Sequence, residues 1–286
     1  YSDSSFLSNR TSYDYLWRAC IEFVTRTGCL TSTQSITSVA SQSTYDLNAD
    51  FIRLYLKNTS KQHYVKWVDG SNTLFPLEKD YEEIFFANNT STVSYPSHVA
   101  ITDKQTLFSR LTGTTTSIGA STNGEANLTN TSVDFTNVSV GDIVNNITDG
   151  SSGVVLSKTS TTVLVTALFG GTNNQWASSD SYAIQPQSKM QIIFDPPPTS
   201  AGHTITVPYV QRPAPVYSVY GAYRLSSQYT DYLPYFASWL YRYKGRELNF
   251  TDAHYMIWES AVKKASASLN RTLLRGGWTV NLKARK

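Results

Sequence analysis

Apolar and polar positions recur at two different periods along this chain, and the switches between them mark out its segments. Near the start, Leu16, Ala19, Cys20 and Phe23 fall on one helical face and Tyr13, Trp17, Ile21 and Val24 on an adjacent stripe. Thr11 or Ser12 with Asp14 opens this helix and Gly28 stops it. A helix apolar on two stripes packs between neighbours, as in a bundle or a ring. Near the end, Leu233, Phe236, Ala237, Leu240 and Tyr243 form a second stripe, with Thr230 or Asp231 as the expected cap and Pro234 in the first turn. After a break over 245–249, Thr251 or Asp252 starts a third helix striped by Trp258, Ala261, Val262, Ala265, Leu269 and Leu273. Gly276 and Gly277 end it. Trp278, Val280 and Leu282 then alternate with Thr279, Asn281 and Lys283, a strand too short to stand alone. This arm, 276–286, either docks on its own body or adds a strand to a partner's sheet.

Strand periodicity fills the middle. Residues 35–39, 51–57 and 62–68 alternate, with turn formers at 48–50 and 58–61. Pro76 is expected to begin an acidic helix, with Leu77, Tyr81, Ile84 and Phe85 on one face and Glu78, Asp80, Glu82 and Glu83 where the helix dipole favours them. A strand at 98–102 follows. From about 111 to 185 the chain becomes rich in Gly, Ser, Thr and Asn, with short β signals at 133–140, 142–147, 153–157, 161–168 and 181–184, which read as a small all-β module. Strands resume at 190–194 and 203–210. The run Asp195, Pro196, Pro197, Pro198 predicts a rigid hairpin that pairs them.

The expected fold class is therefore α+β: a helical body, made of the N-terminal helix and two C-terminal helices, with antiparallel strands and an inserted small all-β module. Residues 1–110 and 186–275 form the discontinuous body, 111–185 the insertion and 276–286 a docking arm.

Composition changes this picture in a few places. Charged residues are only 16% of the chain and the net charge is +3, too little by itself to imply nucleic-acid binding. The distribution is uneven: between 112 and 185, Glu125, Asp134, Asp142, Asp149 and Asp180 stand against Lys158 alone, a local −4, so the remainder carries +7. Cys20 and Cys29, if one helix carries both, stand about 13 Å apart, too far for a disulfide. No run is apolar enough to span a membrane, and residues 1–9 lack the charged and apolar leader of a signal peptide.

Candidate chemistry is sparse. His63, His98, His203 and His254 do not sit at metal-ligand spacing, and no nucleophile elbow, zinc-protease or phosphate-loop motif occurs. Asp142, Asp149 and Asp180 could be imagined around calcium, but a turn Asp beside Gly is the plainer reading. The Asn-x-Ser/Thr sequons at Asn89, Asn127, Asn130, Asn137 and Asn146 follow from the composition. Arg242, Lys244 and Arg246, interleaved with Tyr241 and Tyr243, suit a phosphate backbone, and they equally suit a solvated helix face. Arg275, Lys283, Arg285 and Lys286 form a second basic cluster, whose field would multiply if copies met around a channel.

Several stretches taken together resemble head-to-tail connector (adaptor) proteins of tailed bacteriophages. They are the helix Tyr15, Leu16, Trp17, Arg18, Ala19, Cys20, Ile21, Glu22; Tyr45, Asp46, Leu47; Ile192, Ile193, Phe194, Asp195, Pro196, Pro197; Tyr209, Val210, Gln211, Arg212, Pro213; and Asp231, Tyr232, Leu233, Pro234. The resemblance covers roughly 10–105 and 186–275. It implies a virion structural protein, not an enzyme and without cofactor or metal, found at the head–tail interface after assembly in the host cytoplasm. Copies, usually twelve, would ring the portal, seal the capsid vertex and present a platform to tail nozzle, tube or fibre proteins. The arm, Gly276, Gly277, Trp278, Val280, Leu282, Lys283, Arg285 and Lys286, would bind the portal, and Arg242, Lys244, Arg246 and Arg275 would be candidate contacts to passing DNA. The large insertion departs from many connectors. It keeps open a more distal tail or adhesin protein whose module binds glycan or tail fibres.

Overall fold

The computed structural model describes residues 9–57, 62–63, 65–70, 72–87, 91–119, 121–122, 124–217, 225–244 and 247–273. After α1 (Asn9–Thr27) come β1 (Thr31–Thr37), β2 (Thr44–Asp46), β3 (Phe51–Leu54), β4 (Leu56–Lys57), β5 (Gln62–His63), β6 (Lys66–Asp69), β7 (Asn72–Leu74) and β8 (Leu77–Glu78), then α2 (Tyr81–Ala87) and β9 (His98–Thr106). A second group follows: β10 (Leu111–Thr114), β11 (Ser121–Thr122), β12 (Glu125–Thr129), β13 (Ile143–Asn146), β14 (Ser151–Ser160), β15 (Val163–Phe169) and β16 (Ser181–Gln185). The chain then returns through β17 (Lys189–Asp195) and β18 (Thr204–Gln211) to α3 (Ser227–Thr230), α4 (Leu233–Arg242) and α5 (Ala253–Leu273).

These elements bury three cores. In the first, β18 pairs with β1, β6 and β3, while β17 pairs with β2 and β9 in a second sheet that β8 extends. The two sheets face each other across Trp67, Phe194, Ile192, Ile205, Val207 and Tyr209. Phe194 meets Trp67 edge-on at 5.8 Å and Tyr45 at 5.9 Å, the geometry that ring quadrupoles prefer. The second core lies inside a seven-stranded antiparallel sheet of order β10-β16-β13-β14-β15-β12-β11, all of whose strands fall between Leu111 and Gln185. Leu128, Phe135, Leu164, Trp176, Tyr182 and Ile184 fill it. Two of its polar groups satisfy each other in place: Trp176 Nε1 donates to Thr166 Oγ1 at 2.9 Å, and that hydroxyl donates to the Ala126 carbonyl at 2.8 Å. The third core joins α1, α4 and α5 through Ala19, Phe23, Leu233, Phe236, Trp239, Trp258 and Val262, with Val210 of β18 reaching in from the sheet.

A helical body is therefore not what this chain forms. Strand outweighs helix, 36% to 23%, and the helices build one core beside two β cores. The strong periodicity of three helices had outweighed many short strands, each of which carries a weaker signal.

Four local expectations are also corrected. β17 and β18 are not a hairpin: the proline run carries the chain from one sheet to the facing one, so their apolar residues meet across the core rather than edge to edge. The acidic helix starts five residues after Pro76, because Leu77 and Glu78 pair in parallel with His98 and Val99. Residues 133–140 are turns. The carbonyls of Phe135, Thr136 and Val138 converge on Lys158 Nζ at 3.4, 2.8 and 3.2 Å, which takes them out of any ladder. Neither Thr230 nor Asp231 caps α4. Thr230 Oγ1 donates back to the Ser227 carbonyl within α3, and Tyr232 is the N-cap residue.

Two glycines are dictated by geometry. Gly28 ends α1 at φ +69°, and a Cβ on Gly153 would lie 1.6 Å from the Ala167 carbonyl oxygen of the neighbouring strand.

Candidate functional site

The seven-stranded module leaves and re-enters the body between two hydrogen-bonded strands, since β9 pairs antiparallel with β17 and Thr106 lies opposite Lys189. A set of side chains fixes this joint. Asp142, buried, accepts the Ser139 amide at 2.8 Å and the Gln187 amide at 3.0 Å. Arg212 donates to Gln187 Oε1 at 2.9 Å and lies 5.0 Å over the Trp17 ring, while Trp17 Nε1 donates to the Pro213 carbonyl at 3.0 Å. Burial pushes the Asp142 carboxyl up against the pull of those two amides. Burial likewise pulls Arg212 down, and the Asp142 charge opposes that. The Asp142 charge thus offsets part of the desolvation of Arg212 across the seam between α1, the module and the body.

Beside this joint lies a cleft of about 420 Å³ between the first turns of α1 and the module strands. Arg10, Arg18 and Lys244 line it with Tyr13, Tyr15, Trp17 and Phe169. Arg18 is paired with Asp14 at 2.9 Å. Arg10 donates to Ser152 Oγ at 2.8 Å, and Lys244 has no carboxylate partner among the described residues.

The helical triad is held by a second cross-link. Arg26 on α1 makes a two-pronged contact to Glu259 on α5, at 2.7 and 2.8 Å, and lies 5.0 Å over the Trp258 ring. The hydrogen bonds from Arg26 hold the Glu259 carboxyl below its ordinary range. Asp252 caps α5, as one of the two expected start signals, by accepting the His254 amide at 2.8 Å.

Exposed apolar side chains are spread over the surface, with Leu107 and Ile118 the most exposed, and two groups of them lie close together in sequence. On the helical triad, Leu248 (43% exposed), Phe250 (53%), Met256 (56%) and Ile257 (41%) stand in solvent, and Ser260, Lys263 and Lys264 continue the same outer stripe of α5. On the body, Phe75 (58%) and Leu77 (59%) stand just ahead of α2 in the chain and Phe85 (59%) within it, and its first turn carries exposed Glu82 and Glu83.

No protein-family model matches the chain, and no curated protein matches it in sequence. Among the described residues no group of His, Cys, Asp and Glu could hold a metal ion, and no helix is long and apolar enough to cross a membrane.

The sequence candidates fall in separate places. Arg242 ends α4, pairing with Asp252 at 3.1 Å and contacting His254 Nδ1 at 3.0 Å, so much of its charge is spent on the start of α5. Lys244 faces the cleft instead. Arg246, Arg275 and the arm residues Gly276, Gly277, Trp278, Val280, Leu282, Lys283, Arg285 and Lys286 lie outside the described residues. The three module carboxylates do not converge. Asn146 Nδ2 bridges Asp149 and Asp180 at 3.1 Å each, while Asp142 serves the joint. Cys29 lies past the end of α1, and both thiols are free and packed in the helical core. Sequence reading missed the joint, because Trp17, Asp142, Gln187 and Arg212 are far apart in the chain. It also missed the outer stripe of α5, since only the inner stripe was followed.

Proposed function

We propose that the protein is a virion structural protein whose copies form a ring, of twelve by the resemblance, between the portal and the tail of a bacteriophage. It closes the capsid vertex and gives nozzle, tube or fibre proteins their platform. The observation that carries this reading is the apolar outer face of the helical triad: Leu248, Phe250, Met256 and Ile257 stand in solvent on the unit from which the C-terminal arm departs. An apolar surface of this kind marks a protein contact. The arm, 276–286, binds the portal by strand addition, and Lys244, Arg246 and Arg275 meet DNA passing through the channel with whatever charge Arg242 has left.

The test is the mass of the portal complex with and without this protein. A stepwise gain approaching one copy per portal subunit supports the reading, and no gain overturns it. Deleting 277–286 is expected to abolish portal binding while the far-ultraviolet circular dichroism stays unchanged; normal binding by the truncated chain removes the arm's role.

A second reading, a more distal tail or adhesin protein, draws on the aromatic cleft beside the module. A glycan screen of the full chain against the Tyr13→Ala and Phe169→Ala variants separates the two. Glycan binding lost in both variants favours the second reading.

A further inference from the structure

The two exposed patches differ in charge as well as position. Along the outer stripe of α5, Met256 and Ile257 give way within two turns to Lys263 and Lys264, all four exposed. Lys263 Nζ lies 3.7 Å from Glu259, but that carboxylate is already engaged by Arg26 and the lysine side chain stays 74% exposed. Around α2 the order is reversed: Phe75, Leu77 and Phe85 sit beside exposed Glu82 and Glu83, with Asp80 just ahead of them. Each patch thus has an apolar centre and a charged flank, and the flanks have opposite signs.

This pattern decides between kinds of self-contact. In a two-fold contact residue i of one copy meets residue j of the other, so the α5 face against itself offers Lys263 and Lys264 no carboxylate from that outer stripe, and the α2 patch against itself offers Glu82 and Glu83 no basic residue but Lys79. Neither two-fold contact gives the charged flanks partners of opposite sign as fully as a contact between the two different patches does. A head-to-tail contact, α5 face of one copy on the α2 patch of the next, covers both apolar centres and matches the charges. Contacts between two different patches leave each copy with one free face of either kind, so they propagate and close into a ring when the rotation permits.

We propose that a second copy of this chain is the occupant of the α5 face, and that it docks there through its own α2 patch: Met256, Ile257 and Phe250 against Phe75, Leu77 and Phe85, with Lys263 and Lys264 facing Glu82 and Glu83. The proposal rests on the ring reading for closure and specifies the surface that makes the ring. Portal binding plays no part in it.

The test is a charge exchange on the full chain, read as mass distribution in solution at low salt and about 100 µM. The wild type is expected to associate. One variant carries Glu82→Lys and Glu83→Lys, the other Lys263→Glu and Lys264→Glu. Each alone presents like charges at every contact and is expected to associate at least tenfold more weakly. Mixed in equal amounts they regain association, because a contact between the two variants joins either two native or two altered flanks, and in both cases the signs are opposite. All four positions are exposed, so both variants are expected to keep the wild-type circular dichroism spectrum and a cooperative unfolding transition, lowered only slightly by the lost Lys263–Glu259 pairing or the lost acidic first turn of α2, which separates lost docking from lost folding. A wild type that stays monomeric, single variants that associate like wild type, or a mixture that stays apart would each overturn the proposal. If the exchange pattern holds but the portal gains no mass, the interface stands and the connector reading fails. If the portal gains mass but the exchange pattern is absent, the reverse follows.

Discussion

Trp258 offers the sharpest check on the helical core, because two effects at one side chain oppose each other. Its ring is fully buried, lies 4.4 Å from Phe236 and 5.7 Å from Tyr255, and carries Arg26 on its face. Truncation to Ala removes the transfer free energy of the ring and leaves a cavity between α1, α4 and α5, at a cost of about 3–5 kcal/mol. Trp258→Phe is different, since the indole Nε1 is buried with no hydrogen-bond acceptor. The Phe ring is roughly 40 Å³ smaller, a cavity cost of ~1 kcal/mol at about 24 cal/mol per Å³, with a transfer loss of similar size. Against this, removing an unsatisfied buried donor recovers about 1–3 kcal/mol. Phe at this position is therefore expected to lie within ~1 kcal/mol of wild type, several kcal/mol above Ala. Urea titrations followed by far-ultraviolet circular dichroism measure both, with an unchanged slope showing that the midpoint shift is a stability shift. If Trp258→Phe costs as much as Trp258→Ala, the reasoning is refuted, because the N–H must then be bonded in the native state.

Three further outcomes follow from the same contacts. Glu259→Gln is expected to destabilise by about 1–2 kcal/mol at neutral pH. Because the native carboxyl is held below its ordinary range, the gap to wild type is full above the unfolded glutamate value of about 4.3 and closes as pH falls through the depressed native one, so a gap constant down to low pH would refute the Arg26 pairing. Gly153→Ala forces β14 away from β15 and is expected to abolish amide-exchange protection across β13 to β15 while β9 and β17 keep theirs; protected module amides would show that the strand gives way without cost. Burial pushes the Cys20 thiol up to about 12 and raises that of Cys29, so both are expected to resist alkylation at pH 8 until the chain is unfolded, and labelling of the native chain at the rate of free cysteine would contradict their packing.

The helices were legible because burial acts on them as a stripe. Leu16, Ala19, Cys20 and Phe23 repeat at the helical period, and α1 covers that stretch. The same reading overlooked Trp239, which lies one position off the chosen stripe of α4 yet is buried, with its Nε1 donating to the Asn249 carbonyl at 2.8 Å. Strand signals were weaker for a physical reason. β10 and β12 are four and five residues long, Thr, Asn and Glu fill their outward positions and Gly113 takes an inward one, so little apolar pattern remains. Pairing was the least legible of all. The apolar alternation of β17 and β18 is the same whether they pair at their edges or face each other across a core, and only the partners β9, β2, β1, β6 and β3 decide between the two. Candidate sites suffered likewise. Basic residues two apart in sequence, Arg242 and Lys244, serve different surfaces, while the joint is assembled from four separate segments.

The placement of the module has a mechanical consequence. Its two connections are neighbouring strands of one sheet, so a load on the module enters the body as shear along β9 and β17 rather than as torsion about a single linker. Next to those strands, Asp142 and Gln187 tie the module's turn and exit segment to Arg212, Arg212 packs on Trp17, and Trp17 belongs to α1. In the last turn of α1 the Arg26 guanidinium grips Glu259 on α5. The path from module to the outer face of α5 therefore runs through paired strands, charge-assisted hydrogen bonds and one helix. Stiff elements of this kind transmit a displacement instead of absorbing it. A protein that only displayed its module would be served as well by a flexible linker. These contacts instead suit a chain in which what touches the module is felt at the exposed face of α5, the surface proposed above to dock a second copy.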